Sequence, residues 1–394
     1  MAYLSRFVTD STGMAAPETN WNLFRNPDID NRLHELNVPT PVFYKVLEML
    51  SSEEDATQAR FDWIENDIPA RVTTVNHGGG YSAVATSIVV ADATIFVAGH
   101  VMRSMTHNEL ILITGVTDGT NTLAITRAHA GSTGAILDDG EKLLDLGFQL
   151  GENGAAPAGR SKIGTEEYNY CEMKSRLFEI SELQSSTDMR TAIGTIPYET
   201  MEKAFSIRRD FSDVLLYGRR NKGTNHLGEV CYNTGGFYQF ATSNGLSTAA
   251  SGLSWPTLYG WAETPFIPTG SSPRKTLICG QTVAQAITKI AYDKTTFAGY
   301  NEILGQQVNI LRLPSGREIE IVQDPYLFHT DRGTQNKGIL VDTAHMSLKW
   351  KRGWRLQWKQ NVQANDVHGR KDEVYGACGL KLTNPTLHGT ISLS

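Results

Sequence analysis

The densest concentration of chemically capable side chains lies in residues 349–359 (KWKRGWRLQWK). Interleaved aromatic and basic residues suit single-stranded nucleic acid, whose bases stack on rings while cations meet phosphate. Read at the two-residue period of a strand, the even positions carry Trp350, Trp354, Leu356 and Trp358, with Arg352 among them, and the odd positions carry Lys351, Arg355 and Lys359. That is the pattern of an amphipathic strand. It predicts three core tryptophans and one basic face made of Lys351, Arg355 and Lys359.

Other candidates for chemistry are weaker. The doublets Asp138-Asp139 and Glu166-Glu167 have the residue types of a general acid and base. Neighbours on a strand point to opposite faces, however, and loop doublets are usually solvated. The 10 histidines fall singly, with no HxH or HxxxH pair to present two imidazoles to one ion. Cys171, Cys231, Cys279 and Cys378 form no CxxC, as expected of reduced, buried thiols made in a cytoplasm. Phosphate-loop, GxSxG, HExxH and EF-hand spacings are absent. The run 77–80 (HGGG) lacks the strand-to-helix setting of a phosphate cradle and reads as a hinge. No catalytic residue, cofactor-binding residue, cofactor or metal ligand is assigned.

The composition of the 394 residues narrows the class. Lys and Arg total 36 against 42 Asp and Glu, a net charge of −6, so the chain is not a polycation that coats nucleic acid by counterion release. With 40% hydrophobic and 20% charged residues it is an ordinary globular chain, neither disordered, collagen-like nor a disulfide scaffold. The length predicts two or three structural regions. The strongest apolar stretch, 83–98, is interrupted by Thr86, Ser87, Asp92 and Thr94, short of a membrane span. The first residues lack a basic-then-apolar export signal. Neither membrane association nor export is expected.

The elements that must position these residues follow from periodicity. The first 60 residues, punctuated by Pro17, Pro27, Pro39 and Pro41, read as an extended arm with short helical pieces at 27–36 and 42–50. Residues 61–65 (FDWIE) read as a strand leading out of it. Between Arg71 and Leu150 only 4 basic and 7 acidic side chains occur, and 109–116 (ELILITGV), the turn 118–121 (DGTN) and 122–127 (TLAITR) predict a hairpin with positive φ at Asp-Gly. This is a small all-β insert, flanked by glycine-rich connectors at 77–80 and 151–159. A long helix is predicted over about 198–217, with Pro197 and Glu199 at its start and apolar residues covering more than one face. Helices at 254–264 and 281–293 and a hairpin over 308–322 make 240–340 an α+β region, and the tail is mostly strand.

This order, together with 61–65, 109–116, 121–127 (NTLAITR), 169–172 (NYCE), 375–385 (YGACGLKLTNP), His388 and Gly389, resembles the tailed-bacteriophage major capsid proteins of the Hong Kong 97 type, in particular those with a β-domain inserted in the E-loop. The resemblance spans nearly the whole chain. It implies an α+β phage major capsid protein fold: an N-arm (1–60), an E-loop with an inserted small β-domain (61–160), a P-domain with a long spine helix at about 198–217 (161–239), an A-domain (240–340) and C-terminal P-domain strands (341–394).

It also implies a structural, non-enzymatic subunit that self-assembles as hexamers and pentamers into an icosahedral head around double-stranded DNA. Such a protein resides in the virion after assembly in the host bacterial cytoplasm. The E-loop insert would lie across a neighbour's spine helix and P-domain, which makes Leu110, Leu112, Leu123, Ile125, Arg127, Met201, Phe205, Arg208 and Phe211 the expected inter-subunit residues. Lys351, Arg355 and Lys359 would form the interior basic face, with packaged DNA contacted only indirectly. Partners would be further copies of the chain, a portal, a decoration protein and a separate scaffolding protein, since no long charged helical segment precedes the arm. Some members weld subunits by a Lys–Asn isopeptide bond from the E-loop. Here Lys142 is the only lysine between Arg71 and Leu150, so no such cross-link is expected. The alternatives are an encapsulin-like nanocompartment shell and, in a different class, a β-rich carbohydrate-binding or hydrolytic protein.

Overall fold

A computed structural model describes residues 41–49, 52–66, 70–152, 154, 164–187, 195–294, 300–303 and 306–394. The helical piece expected at 27–36 lies outside these residues, as does most of the 151–159 connector. The chain divides into two compact units, one running from Trp63 to Glu167 and the other formed by the residues before and after it. Strands Arg60–Glu65 and Thr165–Tyr170 pair with each other and carry the chain from one unit to the other and back. The alternation expected of 61–65 is present, with Phe61 and Trp63 buried between exposed neighbours.

The smaller unit is a closed barrel. Six antiparallel strands follow the order Val72–Thr74, Lys142–Phe148, His100–Ser104, Leu110–Thr117, Thr122–Thr126 and Ser87–Val89. A bridge between Val75 and Val90 joins the last strand to the first, and the Asn76 and Ala91 N–H groups donate to Val89 O (3.0 Å) and Thr74 O (2.8 Å). Closure removes the unpaired edges that an open sheet would present. Ile88, Phe96, Met102, Ile111, Ile113 and Leu123 fill the interior.

The predicted hairpin is present, but its positive φ falls at Asn121 (50°) rather than at Gly119, because a 3-10 turn over Asp118–Thr120 precedes it. Asparagine tolerates the left-handed region better than most residues. The HGGG run is a bonded turn of this unit, not a free hinge. Gly80 N–H donates to His77 O (2.8 Å), His77 N–H donates to Asp139 (2.8 Å), and the His77 ring lies 4.7 Å from that of Tyr81. Gly80 has φ 64°, and a Cβ there would lie 2.6 Å from Leu137 O.

Among the described residues, the larger unit holds a five-stranded sheet, a seven-stranded sheet, the two-stranded ribbon Asn221–Thr224/Val230–Asn233 and four helices of eight residues or more: α1 (Val42–Met49), α2 (Ile196–Tyr217), α3 (Trp255–Glu263) and α4 (Gln281–Lys294). In its five-stranded sheet, Ser52–Ala56 pairs in parallel with Met346–Lys351, which is followed by Gly369–Leu382 and Glu172–Ser181; Gln357–Lys359 also pairs with Gly369–Leu382. The long helix α2 packs on this sheet. It starts two residues earlier than predicted, with Pro197 in its first turn, and it ends where Gly218 N–H donates to Val214 O (2.7 Å). Ile207, Phe211 and Leu215, four residues apart, bury one face among Leu348, Trp350 and Val374, with the Phe211 and Trp350 rings edge to face at 5.8 Å.

The seven-stranded sheet runs Gly245–Thr248, Gly389–Leu393, Lys337–Val341, Arg274–Cys279, Glu318–Gln323, Gln306–Arg312, Tyr300–Ile303. Its central strands bury apolar residues on both faces, and both faces are covered. Leu277, Cys279, Ile319, Ile321 and Leu340 pack in a cluster with residues of α3 and α4, while Ile278, Val322, Ile339 and Val341 join the core under α2. The tail does not stay with one sheet: Gly389–Leu393 inserts between Gly245–Thr248 and Lys337–Val341, a partner choice that a short apolar strand does not announce.

Candidate functional site

The aromatic-basic run is not one strand. Gly353, at φ 76°, ends strand Met346–Lys351, Trp354 N–H donates back to Lys351 O (2.8 Å), and a second strand starts only at Gln357. Only Trp350 is therefore in the core. Trp354 and Trp358 remain 39% and 43% exposed. Trp354 sits edge-on to Tyr375 (5.3 Å), and the Trp358 indole donates to Asp372 (3.2 Å) beneath Arg370. A single period-two reading across a glycine turn misassigned these two side chains.

The basic face is largely offset within the chain. The acidic strand Ser52–Ala56 runs alongside the basic one, so Glu54 pairs with Lys349 and Lys381, while Arg355 meets Glu53 (3.0 Å) and Asp55 (3.9 Å). Lys351 Nζ donates to Thr57 O (2.6 Å), and Lys359 is exposed opposite Glu373. Such pairing leaves little net positive field for phosphate.

No assembled reaction centre emerges from the other candidates. Asp139 is committed to the His77 N–H, and the described residues contain no group of three His, Cys, Asp or Glu side chains able to hold a metal. A half-open recess of about 390 Å³ lies at the carboxyl ends of strands Arg274–Cys279 and Glu318–Gln323, lined by Cys279, Gln281, Asp324, Phe328 and His329 among others. Its acid is already spent: Asp324 accepts from Phe43 N (2.9 Å), Tyr326 N (2.9 Å) and Leu327 N (3.0 Å), capping α1. Burial pushes the Cys279 thiol up to about 12, which removes it as a nucleophile at neutral pH.

The residues expected between subunits divide by orientation. Along strand Leu110–Thr117, Ile111 and Ile113 point inward while Leu110 and Leu112 lie half-buried on the outside. Leu123 and Ile125 belong to the barrel core, and Phe211 to the core under α2, so these three side chains are spent within their own chain. Arg127 is also occupied internally. Its Nε and Nη2 donate to a fully buried Glu109 (2.8 and 2.5 Å), its Nη1 to Ser82 O (2.8 Å) and its Nη2 again to Ala135 O. On α2, Met201 is 45% exposed, and Phe205 and Arg208 are half-buried, the guanidinium lying 5.9 Å from the Phe205 ring. Large apolar side chains are exposed on both units: Val84 (82%), Ile136 and Leu146 on the barrel unit, Met173, Leu177 and Leu227 on the other. The barrel thus fills its own core and still exposes large apolar residues.

These features define the class by fold: an α+β chain of two units with exposed apolar surface on both. The fold is similar to the capsid of an empty GTA particle, with a TM-score of 0.50 and 8% identity over 95% of this chain and 97% of that one. Similarity extends to the Gordonia phage Cozz structure (TM-score 0.49, 9% identity, 98% and 97% of the two chains) and the capsid of the Myoviridae phage XM1 (TM-score 0.40, 13%, 63% and 82%). No curated protein matches the sequence. The chain belongs to the SU10 major capsid protein family, whose family model matches residues 11–393. Its function is that of a major capsid protein, and its place is the capsid of the virion.

Proposed function

We propose that this capsid protein assembles as hexamers and pentamers into a closed icosahedral head around double-stranded DNA, with no catalytic role. In this reading the barrel and its ribbon are the E-loop, α2 is the spine helix of the P-domain, the seven-stranded sheet is the core of the A-domain, and residues before α1 belong to the N-arm. The barrel of one subunit lies over α2 and the five-stranded sheet of its neighbour, with Leu110, Leu112, Met201, Phe205 and Arg208 at the contact. A portal, a scaffolding protein and a decoration protein are the further partners this reading calls for.

The observation that carries it is the exposed apolar surface on a barrel whose interior is already complete. Burying such surface stabilises by roughly 25 cal/mol per Å², an effect multiplied over every subunit contact of a shell. The test is electron microscopy with sizing of the chain expressed with its neighbouring genes, beside Leu112→Asp and Met201→Asp. Closed particles from the parent, and soluble subunits of unchanged melting temperature from the variants, are the expected result. A monodisperse monomer from the parent would overturn the proposal.

A further inference from the structure

Three neighbouring crossings lead into or out of the seven-stranded sheet: 241–244, which follows the short helix Phe237–Phe240, and 342–345 and 383–388, which join it directly to the five-stranded sheet. These crossings are tied to one another by polar groups. Asn244 Nδ2 donates to Thr386 O (2.5 Å) and His388 O (2.9 Å), and Thr383 N–H donates to His345 O (2.9 Å). At their centre Lys275, near the start of strand Arg274–Cys279, donates to Asp342 Oδ2 (2.7 Å) and Leu387 O (2.9 Å), and neither the lysine nor the aspartate side chain has exposed surface. Asp342 also accepts from Ser272 N (3.1 Å), Ser272 Oγ (2.8 Å) and Ala344 N (3.2 Å), and its own N–H donates to His388 Nδ1 (3.3 Å). His388 is fully buried, edge-on to Phe237 at 5.7 Å, and its Nε2 has no partner among the described residues.

Stability alone does not account for this arrangement. Two charges removed from water gain little over apolar residues of the same volume, and an unpartnered imidazole nitrogen adds a further cost. Geometry is what the cluster enforces. One ammonium reaches a carboxylate of the second crossing and a carbonyl of the third at once, while Asp342 holds the Ser272 turn and His388, so a small rotation of one sheet against the other would break several charge-assisted bonds together. Burial would raise the Asp342 carboxyl, but Lys275 and Ser272 outweigh it and hold the group below the usual carboxylate range, while burial draws the Lys275 ammonium below its ordinary value against the opposing pull of Asp342.

We infer that the Lys275–Asp342–His388 cluster is a positioning device that fixes the angle between the two sheets and so makes every subunit of the shell alike. This rests on the reading of the chain as a shell subunit. In a closed assembly an angular error within one subunit recurs at every contact, so a loose joint yields particles of several sizes.

The test pairs Lys275→Met with Asp342→Asn, which removes both charges and keeps one acceptor oxygen, at the position that receives Ser272 Oγ and the Ala344 N–H. It is read by sedimentation and cryo-electron microscopy under conditions where the parent forms closed shells of one size. The double variant is expected to fold with a melting temperature near that of the parent, yet to lose the single sedimenting species and give a spread of particle sizes. Uniform shells from the folded double variant would overturn the inference and leave the shell reading intact. Should the double variant fail to fold, Asn244→Ala, which unties the first crossing from the third without touching the buried pair, decides: a broadened size distribution supports the inference and uniform shells overturn it. A parent that forms no shell removes the reading and the inference together.

Discussion

Replacing Glu109 by alanine strips one partner from the buried ion pair of the barrel. In the parent, the carboxylate has no exposed surface and accepts from Arg127 Nε (2.8 Å) and Nη2 (2.5 Å), Ala128 N (3.1 Å) and Ala135 N (3.0 Å). The substitution leaves a guanidinium that is 6% exposed without its counter-charge and orphans two backbone donors. Breaking a buried pair in this way costs about 3–5 kcal/mol. At roughly 4–8 °C per kcal/mol for a unit near 100 residues, the barrel transition should fall by at least about 12 °C. The assay is calorimetry of the full chain, with peptide-resolved hydrogen exchange to assign the transition to residues 72–148. Most of the cost is the stranded cation, so Glu109→Ala combined with Arg127→Met should be less destabilised than the sum of the two single variants. A Glu109→Ala barrel within about 0.5 kcal/mol of the parent would show that the pair is not a closed, dry interaction and would refute the reasoning.

Acid acts on the same pair. Burial would raise the Glu109 carboxyl, but Arg127 and the two backbone donors outweigh it and hold it below the usual carboxylate range; its contribution is therefore present above the unfolded pKa and lost as pH falls through the depressed folded value. Exchange protection in the barrel should drop over that acid window, and Glu109→Ala should flatten the dependence; an unchanged profile in the variant would count against it. Asp324→Ala removes the cap of α1 and should cost about 0.5–2 kcal/mol, seen as lost exchange protection over 42–49, and full protection there would mean that the cap is dispensable. Purified shells should run as single subunits on a denaturing gel, because Lys142 is the only lysine between Arg71 and Leu150; a covalent ladder would contradict this.

What the sequence made legible is what short-range chemistry decides. Strand Leu110–Thr117 with its turn, the helix ending at Gly218 and the hairpin around Gly316 all carry their periodicity and punctuation within a few residues. Pairings between distant segments carry no such mark. Nothing local says that Ser52–Ala56 runs beside Met346–Lys351, or that Val75 meets Val90 to close the barrel. The candidate site suffered for the same reason. Arg127 looked available to a neighbour because Glu109, 18 residues away across the hairpin, gave no sign of claiming it. Lys275 and Asp342 are separated by 67 residues and look like surface charges until the fold brings them together. Inward and outward positions of 110–113 followed from alternation once the strand was fixed, whereas the 349–359 run failed because Gly353 resets the phase.

The seam between Val75 and Val90 has a practical consequence. With every rim strand already paired, the barrel offers no backbone onto which a foreign strand could zip, and its tight turns can carry cargo without inviting aggregation. The turn at Asp118–Thr120 is a natural socket: nothing lies within 4 Å of where a side chain on Gly119 would project. A guest peptide spliced there would inherit the repeat of the shell, turning one loop into a regularly spaced display lattice.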